Sequence, residues 1–228
     1  MKRPVAVFDI DGTVFRSSLL IELVERLIEN GIFPKQVRAV YEDEHKQWLN
    51  RKGDYESYIA KVVATFSKQL KGIPYGAVAD IAGEVIEEKK DHIYCYTRDM
   101  LADLKQQGYF LLAITHSPKF IADGFGYERS FDKVYGTFYG IGAAGNFTGT
   151  IEDAELIQNK AAVLTRALRK EDITLDGSVA VGDTESDIGM LEMVEMPIAF
   201  NPNQKLLTHA RRRGWKIVVE RKDVIYEL

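Results

Sequence analysis

The chain has 228 residues, 46% hydrophobic and 28% charged, with a formal net charge of -4. That composition fills one large core or two modest ones. Its mild acidity excludes the basic face that nucleic-acid binding needs, no apolar run reaches the length of a membrane span, and the lone Cys95 excludes an intrachain disulfide. A reducing, cytoplasmic setting is expected, because Asp9 and Asp11 interrupt the N-terminal apolar run too early for a signal peptide. The basic cluster Arg211–Arg213 reads as an exposed helix end.

Val5 to Phe8 predicts a short buried strand, closed by Asp9, Asp11 and the turn pair Gly12-Thr13. The period then lengthens to about 3.6. Leu20, Leu23, Val24, Leu27 and Ile28 form one helical stripe that ends near Gly31. Pro34 opens a second helix with Val37, Val40, Tyr41, Trp48 and Leu49 on its stripe, and Gly53 closes it. Asp54 caps a third, carrying Tyr58, Val62, Val63 and Phe66, and Val78, Ile81, Val85 and Ile86 mark a fourth. Residues 15–93 are therefore expected to form an all-helical insert. From Thr97 onward helices and strands alternate. Strands are expected at Tyr109–Ile114, Lys133–Phe138, Ser178–Val181, Pro197–Phe200 and Trp215–Val219, with helices near Met100–Leu104, Lys119–Gly126 and Asn159–Arg169. Alternation of this kind predicts an α/β fold, a mostly parallel sheet with helices on both faces.

Asp9 and Asp11, two apart on an extended segment, point the same way. At about 4 Å and an effective dielectric near 20, their charges repel by roughly 4 kcal/mol. Such a pair implies a divalent cation, a carboxyl kept protonated for acid/base work, or plain solvation. Thr115 and Ser117 end the second strand, Lys160 begins a helix, and Asp183 and Asp187 follow another strand. The carboxyl ends of parallel strands converge on one sheet edge, which gathers four carboxylates, a lysine and two hydroxyls into a candidate Mg²⁺ and phosphoryl site. Each has an ordinary alternative: Thr115 or Ser117 as a helix cap, Lys160 as a solvated helix residue, Asp183 and Asp187 as a loop and an N-cap. Gly140 to Gly145 fits a spaced-glycine dinucleotide pattern, but Asn146–Ile151 after it reads as strand and turn, so a hairpin is expected.

Asp9-Ile10-Asp11-Gly12-Thr13, Thr115, Lys160 and Gly182-Asp183-Thr184-Glu185-Ser186-Asp187 resemble, in order, the four motifs of the haloacid-dehalogenase-like superfamily. The helical insert, Phe200–Asn203 and Arg213-Gly214-Trp215 resemble its phosphoserine-phosphatase-like branch. The resemblance implies a Rossmann-like three-layer core over residues 1–14 and 94–228 with a helical cap over 15–93. It implies a phosphatase in which Asp9 is the nucleophile and Asp11 the acid and base. Thr115 and the amides after it would hold phosphoryl oxygens, and Lys160 would offset charge. Mg²⁺ would lie on Asp9, the Asp11 backbone carbonyl and Asp183, with Asp187 beside it. The expected partner is a small phosphorylated metabolite; nothing in the pattern sets an oligomeric state.

Phosphotransfer or mutase chemistry would use the same aspartyl-phosphate. A phospho-aspartate signalling module is shorter and lacks the insert, and a catalytically silent binding protein of this fold would have lost motif residues. Phosphoserine phosphatases read the substrate's amino group with a glutamate shortly after the nucleophile, whereas here Phe15-Arg16-Ser17-Ser18-Leu19 precedes the first acid, Glu22. Candidate substrate readers are Arg16, Ser17, Ser18, His116 and Ser117, with Trp48, Arg51, Tyr55 and Tyr58 from the insert.

Overall fold

The computed structural model describes residues 2–228. Its elements run β1 (Arg3–Phe8), α1 (Leu19–Glu29), a 3₁₀ segment (Lys35–Val40), α2 (Glu42–Leu49), α3 (Tyr55–Leu70), α4 (Tyr75–Lys89), α5 (Cys95–Gln106), β2 (Phe110–Pro118) and α6 (Lys119–Glu128). They continue with β3 (Lys133–Ile141), β4 (Phe147–Glu152), α7 (Ala154–Gln158), α8 (Lys160–Lys170), β5 (Ile173–Gly182), a 3₁₀ turn (Glu185–Asp187), α9 (Ile188–Leu191), β6 (Met196–Phe200), α10 (Gln204–Arg213), β7 (Lys216–Arg221) and β8 (Val224–Glu227). The eight strands form one sheet in the order β4-β3-β2-β1-β5-β6-β7-β8. The inner pairs are parallel, and only β3/β4 and β7/β8 are antiparallel.

Alternation along the strands makes the layers. Val5 and Val7 of β1 pack with Leu112, Ala180 and Ala199 against α8, α9 and α10. Ala6 and Phe8 face the other way with Ala113, Val181 and Phe200, in an apolar cluster that runs on into Leu23, Leu27, Phe66 and Val85 of α1, α3 and α4. The inserted helices thus share the core of one sheet face. The hairpin β3–β4, which carries the spaced glycines, adds a second tie. Phe147 exchanges main-chain bonds with Gly72 and Ile73, and the Tyr75 amide donates to Gly145.

Three expectations need correction. The second inserted helix is split: the 3₁₀ stretch changes the period from 3.6 to about 3, so Val40 and Leu49 fall out of phase and are exposed. Trp48 sits at the surface, stacked on His45 and Tyr58. Second, β2 does not stop at Thr115. Pro118 pairs with Thr137 of β3 after a register shift that begins at Ile114, so Thr115, His116 and Ser117 occupy a bulge. Third, β8 had no signal; it is an edge strand exposed along its length, and main-chain pairing to β7 makes it. Among the described residues no helix is long and apolar enough to cross a membrane.

Candidate active site

The site forms where β1, β2 and β5 end. Asp9 extends the parallel ladder, its amide donating to the Val181 carbonyl at 3.0 Å. Gly12 has φ of +83°, and a Cβ there would lie 2.2 Å from Asp183 Oδ2; only glycine allows the first and fourth motifs to close on one another. Thr13 Oγ1 donates to Asp183 Oδ1 at 3.4 Å.

Lys160, the first residue of α8, is buried between two carboxylates and donates to Asp9 Oδ1 at 2.6 Å and to Asp187 Oδ1. Asp187 Oδ2 accepts the amides of Asp183 and Thr184, each at 3.0 Å. Asp187 is not the N-cap that the alternative supposed: Thr184 holds that position, and Asp187, three residues on, closes the capping box while its other oxygen binds Lys160; at the start of α9 its side chain makes no cap bond. A helix-cap role for Thr115 or Ser117 is not realised, since Pro118 holds the N-cap of α6. Thr115 Oγ1 instead donates to Asp11 Oδ2 at 2.6 Å and accepts the Ser117 amide at 3.0 Å. The other Asp11 oxygen accepts the Leu19 amide at 2.6 Å, so Asp11 caps the first inserted helix, while Ser18, at the N-cap, makes no cap bond.

Asp9, Asp183 and Asp187 each offer an oxygen within 4.8 Å of the others. Burial pushes the Asp9 carboxyl up to about 7, with Asp187 and Asp11 adding to the rise and Lys160 opposing it. Asp183 is raised by burial, then by Asp9 and Asp187. Burial alone would lower the Lys160 ammonium, but Asp187 and Asp9 outweigh it and hold it protonated. Hard oxygen donors carrying more negative charge than one lysine offsets suit a divalent cation. The Asp11 carboxylate is outside this trio, both its oxygens being engaged.

A family model described as haloacid dehalogenase-like hydrolase matches residues 6–192. The chain belongs to that family. A Streptomyces azureus relative, the inhibition of morphological differentiation protein, is 26% identical over 96% of this chain and 79% of its own. A histidinol-phosphatase from Neisseria meningitidis is 23% identical over 94% of this chain and 97% of its own. Among solved structures, a Bordetella pertussis protein of unknown function superposes with a TM-score of 0.75 at 19% identity, covering 95% of this chain and 98% of its own. A phospho-aspartyl intermediate analogue of phosphoserine phosphatase gives 0.61 at 22% identity, covering 98% and 96%. These neighbours share the fold, in line with the phosphoserine-phosphatase-like branch that the sequence resembles.

In this hydrolase the structure separates the expected substrate readers. His116 Nε2 meets the Ile157 carbonyl at 3.1 Å, so its ring is committed to the corner between α7 and α8 from which Lys160 projects. Ser117 is buried in the bulge. Ser18 is buried as well, and Arg16 is exposed. Tyr55 begins α3, and burial, then the charges of Asp11 and Asp183, raise its phenol. Tyr94, before α5, was not expected; its ring packs edge-on against Phe200, 5.0 Å between centroids, and burial, then the Asp183 charge, raises its phenol. An aromatic residue flanking the return from the helical insert is the one signal that marks it.

Two outcomes follow. Lys160→Met leaves buried Asp9 and Asp187 without their cation, and urea unfolding is expected to show a loss of about 3–5 kcal/mol; a loss below about 1 kcal/mol would show that Lys160 is not their counter-charge. Burial, then the Lys160 charge, lowers the His116 imidazole to about 4, against about 6.5 unfolded. Between those values the unfolded chain binds the proton and the folded chain does not, so this share of stability, at most roughly 3 kcal/mol, is lost on acidification from about 6.5 toward 4. His116→Gln, which keeps a donor for Ile157, is expected to lose less stability than the parent between about pH 7 and pH 5; an equal loss contradicts the assignment.

Proposed function

We propose that this hydrolase is a Mg²⁺-dependent phosphomonoesterase that cleaves a small phosphorylated metabolite through an aspartyl-phosphate on Asp9. The reading rests on one observation, the buried Asp9–Lys160–Asp187 arrangement with Asp183 beside it at converging strand ends. The names of relatives, histidinol-phosphatase and phosphoserine phosphatase among them, support a small phosphate ester as substrate. A reducing, cytoplasmic setting goes with it, Cys95 being free.

Asp9, Asp183 and Asp187 would hold the cation, with the Asp11 backbone carbonyl as a further ligand; when bound, it offsets carboxylate charge and polarises a phosphoryl oxygen. Lys160 fixes one Asp9 oxygen, leaving the other to attack phosphorus. The new bond is Asp9 O–P, and the ester P–O bond breaks as Asp11 gives its proton to the leaving oxygen. Water then adds to phosphorus, Asp11 takes back a proton, and the Asp9 carboxylate departs from inorganic phosphate. Thr115 holds the Asp11 carboxylate in place; in this reading it and the amides after it would turn to phosphoryl oxygens once the ester binds. The inserted helices act as a cap: α3 brings Tyr55 over the site, and Lys205 of α10 bridges Glu56 of α3 to Glu185 of the 3₁₀ turn, so water is held back until the ester is seated.

Phosphate release from a panel of phosphorylated metabolites, with Mg²⁺ and with a chelator, tests this. Release is expected only with the metal, and Asp9→Asn is expected to lower it by on the order of 10³-fold or more. Release that survives the chelator or the substitution would overturn the reading.

A further inference from the structure

The rim of the site is asymmetric in charge. Gly12 donates its amide to the carbonyls of Phe15, at 2.9 Å, and Ser17, at 3.2 Å, so the loop that carries Arg16 folds back against the residue that touches Asp183. The Arg16 backbone is pinned by its amide to His92 of the returning segment at 2.9 Å. Its guanidinium lies over the Tyr94 ring, 5.5 Å from the centroid, and the charges of Arg16 and Asp183 act on the Tyr94 phenol in opposite directions. Arg16 is exposed and, among the described residues, forms no ion pair, whereas the nearby acids of α1 are taken: Glu22 by Ser17 and Lys89, Glu25 by Arg38 and Tyr41. The loop that carries Arg16, Phe15 to Leu19, holds no acid to pair with it. A guanidinium stacked on an aromatic ring and left without a carboxylate keeps its planar fork of donors for an incoming anion.

We propose that Arg16, seated on Tyr94 at the mouth of the carboxylate cluster, reads a second anionic group on the leaving part of the substrate, so that the preferred esters are those of hydroxy acids or bisphosphates and not of amino alcohols. This inference rests on the phosphomonoesterase reading above and names its substrate class. The anion pairs with Arg16 as the phosphate enters beneath, and the Arg16 charge repels an ammonium there. Carboxylate and phosphate would satisfy the fork alike.

The test compares kcat/KM for 2-phosphoglycolate and phosphoethanolamine, which share a two-carbon frame and differ in the terminal charge, with fructose 1,6-bisphosphate as the arm that tells a second phosphate from a carboxylate. A preference of about tenfold or more for an anionic ester over phosphoethanolamine is expected, the range of a hydrogen bond to a charged group. Arg16→Gln is expected to collapse the ratio toward one, chiefly through KM, and Arg16→Lys to restore part of it; because the readout is a ratio within one preparation, partial misfolding does not mimic it. A ratio at or below one in the parent, or one that Arg16→Gln leaves unchanged, overturns the inference. If p-nitrophenyl phosphate is turned over while neither anionic ester is, the inference fails and hydrolysis stands. If no ester is turned over, the hydrolase reading fails with it.

Discussion

Lys160 brings one positive charge into a pocket where the fold has gathered Asp9, Asp11, Asp183 and Asp187, and much of the neighbouring structure answers that imbalance. The cost of burying an ammonium is met by two direct carboxylate partners, and the cost of burying those carboxylates is met in part by the lysine and by the amides of Asp183 and Thr184. What is left over is negative. Among the described residues Asp183 pairs with no cation, and burial raises both its carboxyl and that of Asp9. A divalent cation and a phosphate ester would together discharge what the fold leaves uncompensated, which is why stability and chemistry meet at the same atoms.

The same economy links the site to the inserted helices. Asp11 holds the start of α1 with one oxygen and Thr115 with the other, so the proposed acid and base is oriented by the insert and the core at once. Tyr55 reaches over from α3, and Lys205 ties Glu56 to Glu185. The hairpin that resembled a dinucleotide loop serves as a brace, bonded along its main chain to the segment between α3 and α4.

The candidate site was readable because it obeys local rules. Two aspartates at i and i+2 behind an apolar strand, a lysine opening a helix and a Gly-Asp pair closing another strand need only the pleat and the parallel sheet to converge. The parts that escaped are those fixed by partners far along the chain. Nothing near Thr115 says that Pro118 will pair with Thr137, or that β2 bulges between. Val40 and Leu49 carry the right residue types for a buried stripe, but the 3₁₀ turn at Lys35–Val40 rotates them to solvent. Val224–Glu227 has no buried face to leave a pattern. His116 is placed by the carbonyl of Ile157 and Tyr94 by the ring of Phe200, neither of which lies nearby in sequence.

The most direct measurement is chemical trapping of the phosphorylated protein. Rapid quenching of a turning-over sample with radiolabelled substrate, reduction of the acyl phosphate with borohydride and peptide mapping would locate the modified carboxyl. The account predicts a single modified residue, Asp9, with labelling lost in Asp9→Asn. Modification at another residue, or phosphate release with no labelled protein at any quench time, would contradict it.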